Sequence, residues 1–472
     1  MFKYRAVNVK KTSQKIGMID HIRRRSMKLA WNRCIILMLG IGLLGMTARA
    51  ADPVQPAQPT SGTAEAAKLP AEASKQPETT TATAAKPTVG INKQSDSVMP
   101  TLTVNQPSGK PFFTLKPYGY VKLDASYDTT RAQIGDYALY VLPKINGEND
   151  NEFNMTARET RLGLELMGPD TEDLKTTGKI EVDFYGPSGT ANSANLRMRL
   201  GYLDLAHSSG FAVRAGQDWE TFVTVIPRTL NLALLNDSGQ LGIRRPQLRL
   251  SQELPMGSTK FTAKIAAARP IGEDLDGGGQ DDGADSGAPA FQYNALLETP
   301  LLTAKASKFS FSGVIGRDTL DTTVSNKVVT TDEQNYNVWA MIGSAFLPVH
   351  QKIALQGTLW TGANLDTYYG GIGQGINITK QTSISAKGFW VQVMTDPLEN
   401  LNWNLGYGLD DPNDDDLSKG NRSRNNTIFT SVYYKLTTAV TVGIEYSNIT
   451  TAYLQGDDAT DNRFQGSMIY KF

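Results

Sequence analysis

From residue 111 onward the chain alternates apolar and polar positions. Leu115, Pro117, Gly119, Val121, Leu123, Ala125 and Tyr127 fall on one face of an extended strand, and Tyr118, Tyr120, Lys122, Asp124, Ser126 and Asp128 on the other, because successive strand side chains point to opposite sides. The period of two returns where Leu162, Leu164 and Leu166 oppose Arg161, Gly163 and Glu165, where Ile180, Val182 and Phe184 oppose Lys179, Glu181, Asp183 and Tyr185, and where Phe261, Ala263, Ile265 and Ala267 oppose Thr262 and Lys264. Sixteen such segments begin near residues 115, 153, 177, 196, 211, 242, 259, 290, 308, 335, 352, 381, 400, 424, 440 and 462. Tight-turn candidates (His207 to Gly210, Leu254 to Gly257, Leu347 to His350) alternate with long polar stretches (131–151, 273–288, 410–421). An even number of alternating segments, with short turns at one end and long loops at the other, predicts an all-β fold: a 16-stranded antiparallel transmembrane β-barrel.

A soluble β-sheet protein, such as a secreted binding or adhesion module, also alternates. Its outward face, however, should be polar, whereas here the face opposite the charges carries Leu, Val, Phe and small residues suited to lipid. Aromatics gather at segment ends, as at Tyr118 and Tyr120 or Tyr433 and Tyr434, where a membrane-interface girdle places them. The chain closes on Phe464, Gly466, Met468, Tyr470 and Phe472. That ending resembles the C-terminal assembly signal of bacterial outer-membrane barrels, with Met468, Tyr470 and Phe472 as its terminal residues.

Upstream the texture differs. Residues 35–46 (IILMLGIGLLGM) are apolar and followed by Ala48-Arg49-Ala50, the length of a signal-peptide core and an A-x-A cleavage pattern, and too short for a membrane helix. Residues 1–50 are therefore expected to be a signal peptide, with Met27 as a compact alternative start. Residues 51–110 hold 10 Ala, 9 Thr and 8 Pro and no Phe, Trp or Tyr. Such a segment buries too little apolar surface to offset its conformational entropy. It is expected to be a disordered tether, with docking on a partner or the cell wall as the alternative, and 111–472 to form the barrel.

Charge and composition narrow the chemistry. Of the 472 residues, 47 are basic and 47 acidic, but residues 1–50 hold 11 Lys and Arg against Asp20 alone, which leaves 36 basic against 46 acidic residues beyond them. That balance argues against a nucleic-acid partner. Cys34 is the only cysteine, and His207 and His350 are the only histidines after residue 50. Disulfides, thiolate metal sites and cysteine nucleophiles are excluded beyond residue 50, histidine catalysis has little to work with, and no enzyme activity, cofactor or metal site is assigned. The acidic run Asp274, Asp276, Asp281, Asp282 and Asp285 offers carboxylates suited to Ca²⁺, but its spacing matches no EF-hand and it is read as a solvated extracellular loop. The run Asp410, Asp411 and Asp414 to Asp416 is read the same way. Gly371, Gly373 and Gly375 echo a nucleotide-binding pattern without a following helix.

Several motifs together carry a family resemblance. Arg214-Ala215-Gly216-Gln217-Asp218-Trp219-Glu220-Thr221-Phe222 resembles the strand and loop entrance that trimeric porins send into a folded constriction loop. Arg245-Pro246-Gln247, Leu355-Gln356-Gly357 with Asn364-Leu365, Tyr369-Gly370-Gly371-Ile372, Gly406-Tyr407-Gly408-Leu409-Asp410-Asp411-Pro412, Glu445-Tyr446-Ser447 and Asp461-Asn462-Arg463 resemble the DcaP-like porins over most of residues 115–472. The resemblance implies a homotrimer of 16-stranded barrels in the bacterial outer membrane, each with an inward-folded constriction loop after strand 5, importing small dicarboxylates. Some members carry an N-terminal coiled coil, for which residues 51–110 have too many prolines.

On this reading the pore residues are inward-facing cations. Arg197 and Arg199 share a strand face, Arg214 points inward on the next strand, Arg244, Arg245 and Arg249 follow the loop, and Lys122 lies on the polar face of the first strand. Guanidinium forks bind carboxylates bidentately, so an arginine ladder attracts dianions. Asp218, Trp219 and Glu220 are expected on the constriction loop, the two acids forming the opposite wall of a transverse field and Trp219 anchoring the loop by packing. Some of these arginines instead have lumen acids within reach, such as Glu159, Glu181 and Asp183. The expected function is passive, anion-preferring diffusion of small solutes across the outer membrane, with a general or cation-preferring porin as the nearest rival.

Overall fold

The computed structural model describes residues 89–92, 101–106, 111–190, 193–277, 281–321 and 333–472. The expected signal peptide lies outside them. The strands are β1 (Val89–Asn92), β2 (Thr101–Asn105), β3 (Pro111–Asp128), β4 (Glu152–Thr156), β5 (Arg161–Met167), β6 (Leu174–Asp183), β7 (Arg197–His207), β8 (Phe211–Trp219), β9 (Arg244–Met256), β10 (Thr259–Ala268), β11 (Ala290–Pro300), β12 (Ala306–Asp321), β13 (Glu333–His350), β14 (Ile353–Ala363), β15 (Ile376–Asn377), β16 (Thr382–Ser383), β17 (Ser385–Leu398), β18 (Leu401–Pro412), β19 (Arg422–Lys435), β20 (Val440–Tyr453) and β21 (Ala459–Lys471). β4 and β5 both pair with β3 and form one interrupted stave. β15 and β16 make a separate small hairpin. Counted this way, β3 to β21 form sixteen antiparallel staves, and β21 closes the ring on β3 from Arg463 opposite Asp128 to Lys471 opposite Tyr120. Each stave starts within four residues of the position expected from alternation.

The two faces of the wall invert the rule of a water-soluble protein. Along β3, Val121 and Leu123 are 50 % and 45 % exposed, whereas Lys122 and Asp124 between them are 3 % and 5 % exposed. Phe153, Ile180, Ile265, Phe311, Ile315 and Ile444 continue the exposed apolar face round the ring. An apolar belt of this extent needs an apolar solvent, and the buried polar face is the inside of the barrel. Among the described residues no helix is long and apolar enough to cross a membrane, which says nothing of a β-barrel.

Three expectations change in detail. The turns expected over Leu254 to Gly257 and Leu347 to His350 fall later: β9 runs to Met256 and β13 to His350, and residues 257–258 and 351–352 reverse the chain. The prolines that suggested turns are tolerated because Pro255 sits one rung from the end of its ladder and the register slips between Pro348 and His350. Within the stretch expected to be a structureless tether, β1 and β2 form an antiparallel hairpin, and β2 pairs with β3 from Leu102 opposite Leu115 to Asn105 opposite Pro111. The physical reason is an open edge: β21 ends opposite Tyr120, so the first residues of β3 would otherwise present unpaired backbone groups.

Candidate functional site

The inner face of β5 to β9 is charged. Arg197 and Arg199 come from β7, Glu181 and Asp183 from β6, and each pair is two residues apart, which puts both members on one face. Arg197 Nε and Nη2 donate to the two oxygens of Asp183 at 2.9 and 2.7 Å. The β6–β7 register slips beside Glu181, which pairs with Leu200 while Val182 pairs with Met198, so Arg199 is an extra residue in its strand. This bulge sets the Arg199 fork between two acids, donating to Glu181 Oε1 at 2.8 Å and Asp183 Oδ2 at 2.9 Å. Arg161 on β5 approaches Glu181 at 3.5 Å. Arg244, at the start of β9, stacks over the Trp219 ring at 5.0 Å and has no carboxylate partner among the described residues. Three guanidinium groups thus share two acids, and the fourth, Arg244, has neither.

The remaining expected cations are occupied differently. Arg214 chelates Asp204 at 3.0 Å through both branches, donates to Asp218 at 2.7 Å and stacks on Tyr202 at 4.1 Å. Arg249 also pairs with Asp218. Arg245 is buried, donates to Glu220 Oε1 at 2.6 Å and to the Thr367 carbonyl at 2.8 Å, and lies 3.8 Å above the Tyr368 ring centroid. It ties the two loops 220–243 and 364–384 together. Lys122 pairs with Glu159 and Asp124 and donates to the Leu230 carbonyl at 3.1 Å.

Asp218 and Glu220 therefore do not form an opposite wall. Asp218 lies on β8, four residues from Arg214 and hence on the same strand face, and Glu220 follows Trp219 directly, bonded to Arg245 and Gln292. Both acids neutralise arginines of their own wall. Trp219 is the last residue of β8, with its ring beneath Arg244.

Loop 220–243 makes most of its contacts elsewhere. The Thr221 amide donates to Gln292 on β11 (2.7 Å), Ser312 on β12 donates to the Phe222 carbonyl (3.0 Å), and Gln356 on β14 to the Ile226 carbonyl (3.0 Å). Gln392 on β17 both accepts from the Arg228 amide and donates to its carbonyl, at 3.0 and 2.9 Å. Trp360 donates to the Gly239 carbonyl at 2.8 Å, and Asn425 on β19 to the Asp237 carbonyl at 2.8 Å. Glu445 on β20 accepts from the amides of Leu230 (2.6 Å) and Asn231 (3.3 Å), and Gln465 on β21 donates to the Leu230 carbonyl at 3.0 Å. The approach is close enough to need glycine. Gly239 has φ +107°, a region closed to most residues, and a Cβ on Gly408 would stand 2.0 Å from the Ser238 carbonyl oxygen. Phe222 and Leu241 of the loop pack with Val314, Val338, Ile342 and Trp360 on the inner wall. Burial raises the Asp237 carboxyl to about 7, with the Arg422 guanidinium and the Gly373 amide opposing.

Between the charged wall and the loop lies a cavity of about 250 Å³. One side carries Arg161, Arg197, Arg199 and Arg244 with Tyr120 and Glu159; the other carries Ile226 and residues 229–234 of the loop. Tyr137, Leu139, Trp219, Asn236, Ile243 and Tyr369 also line it. Arg161 and Tyr137 carry no site expectation from the sequence; Tyr369 was quoted only within a family motif, and Tyr120, expected in an interface girdle, instead points inward and donates to Glu159 at 3.1 Å. The position of Arg161 on a polar strand face, two residues after Glu159, is a signal that strand reading supplies, whereas Tyr137 and Tyr369 sit in long loops that carry no such pattern.

At the seam of the barrel the Phe472 amide donates to the Gly119 carbonyl at 3.1 Å, and the Gly119 amide returns a bond of 3.2 Å. Met468 and Tyr470 are exposed on the outer face. His207 and His350 are exposed at the ends of β7 and β13.

No protein-family model and no curated protein matches this sequence. Among solved structures, the chain is similar to the outer membrane channel DcaP of Acinetobacter baumannii, with 20 % identity and a TM-score of 0.61 over 78 % of this chain and 99 % of that one. An anion-selective porin from Comamonas acidovorans matches with 13 % identity and a TM-score of 0.49, over 76 % of this chain and 100 % of that one. What this chain shares with the Acinetobacter channel is its fold, an antiparallel 16-stranded β-barrel.

Proposed function

We propose that the protein is an outer-membrane channel through which small anions, dicarboxylates among them, diffuse passively past an arginine-lined constriction. The exposed apolar belt and the shared barrel fold support the membrane setting. A single segment that bonds to strands round most of a closed ring does so from within, which supports reading loop 220–243 as the element that narrows the lumen.

The observation that carries the anion preference is Arg244. Its guanidinium lines the cavity without a carboxylate partner, beside Arg161, Arg197 and Arg199, which share only Glu181 and Asp183. Arginine stays charged at any physiological pH, so the excess is permanent. A local positive field in a narrow, low-dielectric passage raises the concentration of anions there. One carboxylate of a solute can exchange onto the free fork while its hydrocarbon part rests on Ile226, Leu232 and Leu234 across the cavity. The acids elsewhere on the chain act weakly at this point, because exposed charges are screened over about 8 Å at physiological salt.

The test is single-channel recording across a planar bilayer under a salt gradient, with protein beginning at Ala51. Stepwise conductance with an anion-selective reversal potential is expected, and block by millimolar succinate. A cation-selective reversal potential overturns the arginine reading, and an absence of steps from folded protein overturns the channel. The homotrimer is part of the same proposal and is tested by mass determination in detergent.

A further inference from the structure

The loop joining β10 to β11 holds acids that the channel reading does not use. Asp281 serves the loop itself: its Oδ1 accepts from the amides of Gly272 (2.6 Å), Gly283 (3.0 Å) and Ala284 (3.3 Å), and its Oδ2 faces Arg269 at 3.7 Å. Asp282 differs. It is 1 % exposed, its Oδ2 accepts from the Leu275 amide at 3.0 Å, and its Oδ1 is buried with no hydrogen-bond partner. A carboxylate oxygen hidden from water without a donor is costly, and such an oxygen is stabilised by a cation.

Two further carboxylates stand beside it. Asp274, Asp276 and Asp282 each bring one oxygen to within 4.8 Å of the others. Oxygens that ligate one Ca²⁺ at about 2.4 Å lie no more than about 4.8 Å apart, so the three are spaced as ligands of a single ion. All three donors are hard oxygens, with no nitrogen or sulfur in the set, which selects against zinc and copper. The loop is held in this shape by backbone contact: a Cβ on Gly272 would stand 2.5 Å from the Gly283 amide nitrogen, and one on Gly283 only 2.7 Å from the Gly272 nitrogen.

We propose that Asp274, Asp276 and Asp282 form a Ca²⁺ site on the long-loop side of the barrel, with water completing the coordination shell. Three carboxylates and solvent on a partly exposed loop place the site in the weak range of extracellular modules, with Kd on the order of 10⁻⁴ to 10⁻³ M. Occupancy would then follow the Ca²⁺ of the surrounding medium. The inference stands independently of what passes through the lumen.

The experiment is calorimetric titration of the detergent-solubilised full-length protein with CaCl₂, alongside limited proteolysis of residues 271–289 with and without 5 mM (about ten times the expected Kd) CaCl₂. Asp276→Asn, at a partly exposed position, and Asp282→Asn are the variants, with Asp414→Asn and Asp415→Asn as controls in another acidic loop. Wild type and controls are expected to bind Ca²⁺ alike and to be protected at 271–289. Asp276→Asn and Asp282→Asn are expected to bind at least tenfold more weakly and to lose the protection. Should Asp282→Asn disturb the loop, Asp276→Asn alone decides. Equal binding and protection in wild type and Asp276→Asn, or no binding by wild type up to 10 mM, overturns the proposal; the salt-gradient recording above does not bear on it.

Discussion

The inside of this barrel has two unlike walls. From β5 to β9 the inner face is built of arginines and carboxylates. From β11 to β19, at the level where loop 220–243 docks, it is built of Gln292, Ser312, Gln356, Gln392 and Asn425, with Asp318 and Asp410 entering only near the long-loop ends. The difference follows from what each wall has to bind. A loop backbone offers N–H and C=O groups in equal measure, and a side-chain amide can both donate and accept without the desolvation cost of a charge. Gln392 does both for a single residue, Arg228. On the function proposed above, a passing ion needs fixed charge instead, and charge is affordable on a buried wall only when most of it is paired.

If the walls divide the work in this way, damage to each should have a different signature. Replacing Arg161, Arg197 and Arg244 together by Gln should have the largest effect. A unit charge about 8 Å from the ion path at an effective dielectric near 20 is worth about 2 kcal/mol, so the anion-to-cation permeability ratio should fall by about tenfold or more. An unchanged reversal potential would remove the charged wall from selectivity.

The amide wall gives the next effect. Gln356→Leu with Gln392→Leu strands the Ile226 carbonyl and both Arg228 backbone groups, at about 1 to 3 kcal/mol for each group left buried and unpaired. Noisy, enlarged conductance is expected with the permeability ratio kept, and quiet channels with altered selectivity would reverse the assignment of the two walls.

A smaller change should accompany pH. The Asp237 carboxyl has a raised value of about 7 against an ordinary 3.8, so the folded state holds its proton more tightly than the unfolded one. The resulting contribution to docking is complete below pH 3.8 and is lost as pH rises through about 7. Hydrogen exchange at Ser238 and Gln240, corrected for intrinsic rates, should accelerate from pH 6 to 8 in wild type and lose that step in Asp237→Asn.

Arg214→Gln should do least, shifting selectivity by under about twofold, because Arg214 does not line the cavity and Asp218 keeps Arg249 as a partner. A shift as large as that of the triple variant would show that Arg214 faces the ion path.

The staves were legible in the sequence because each carries its own signal, the period of two, and needs no knowledge of its neighbours. Arg197 and Arg199 were legible as a pair for the same reason. What strand reading could not supply was which side of the lumen faces which. Asp218 and Glu220 were placed across from the arginines on the strength of a loop entrance, whereas the strand period of Arg214 and Asp218 already put them on one face. Arg245 looks like its neighbours in sequence, and only the approach of loop 364–384 makes it a tie between two loops. The β1–β2 hairpin was missed because Thr-Leu-Thr-Val is a weak alternation inside a proline-rich stretch, and its pairing depends on where β21, more than 350 residues later, happens to stop.

That hairpin has a consequence for how the protein behaves before and after insertion. A closed barrel abolishes sheet edges only where its first and last strands are equally long, and here β3 extends past the end of β21. The surplus is a short adhesive strip of backbone on which a second chain could add a strand. The protein covers the strip with its own preceding residues. A chain shortened to begin at residue 111 would therefore keep every stave of the barrel and yet acquire a self-association point, visible as higher oligomers in sizing runs that the longer chain does not form.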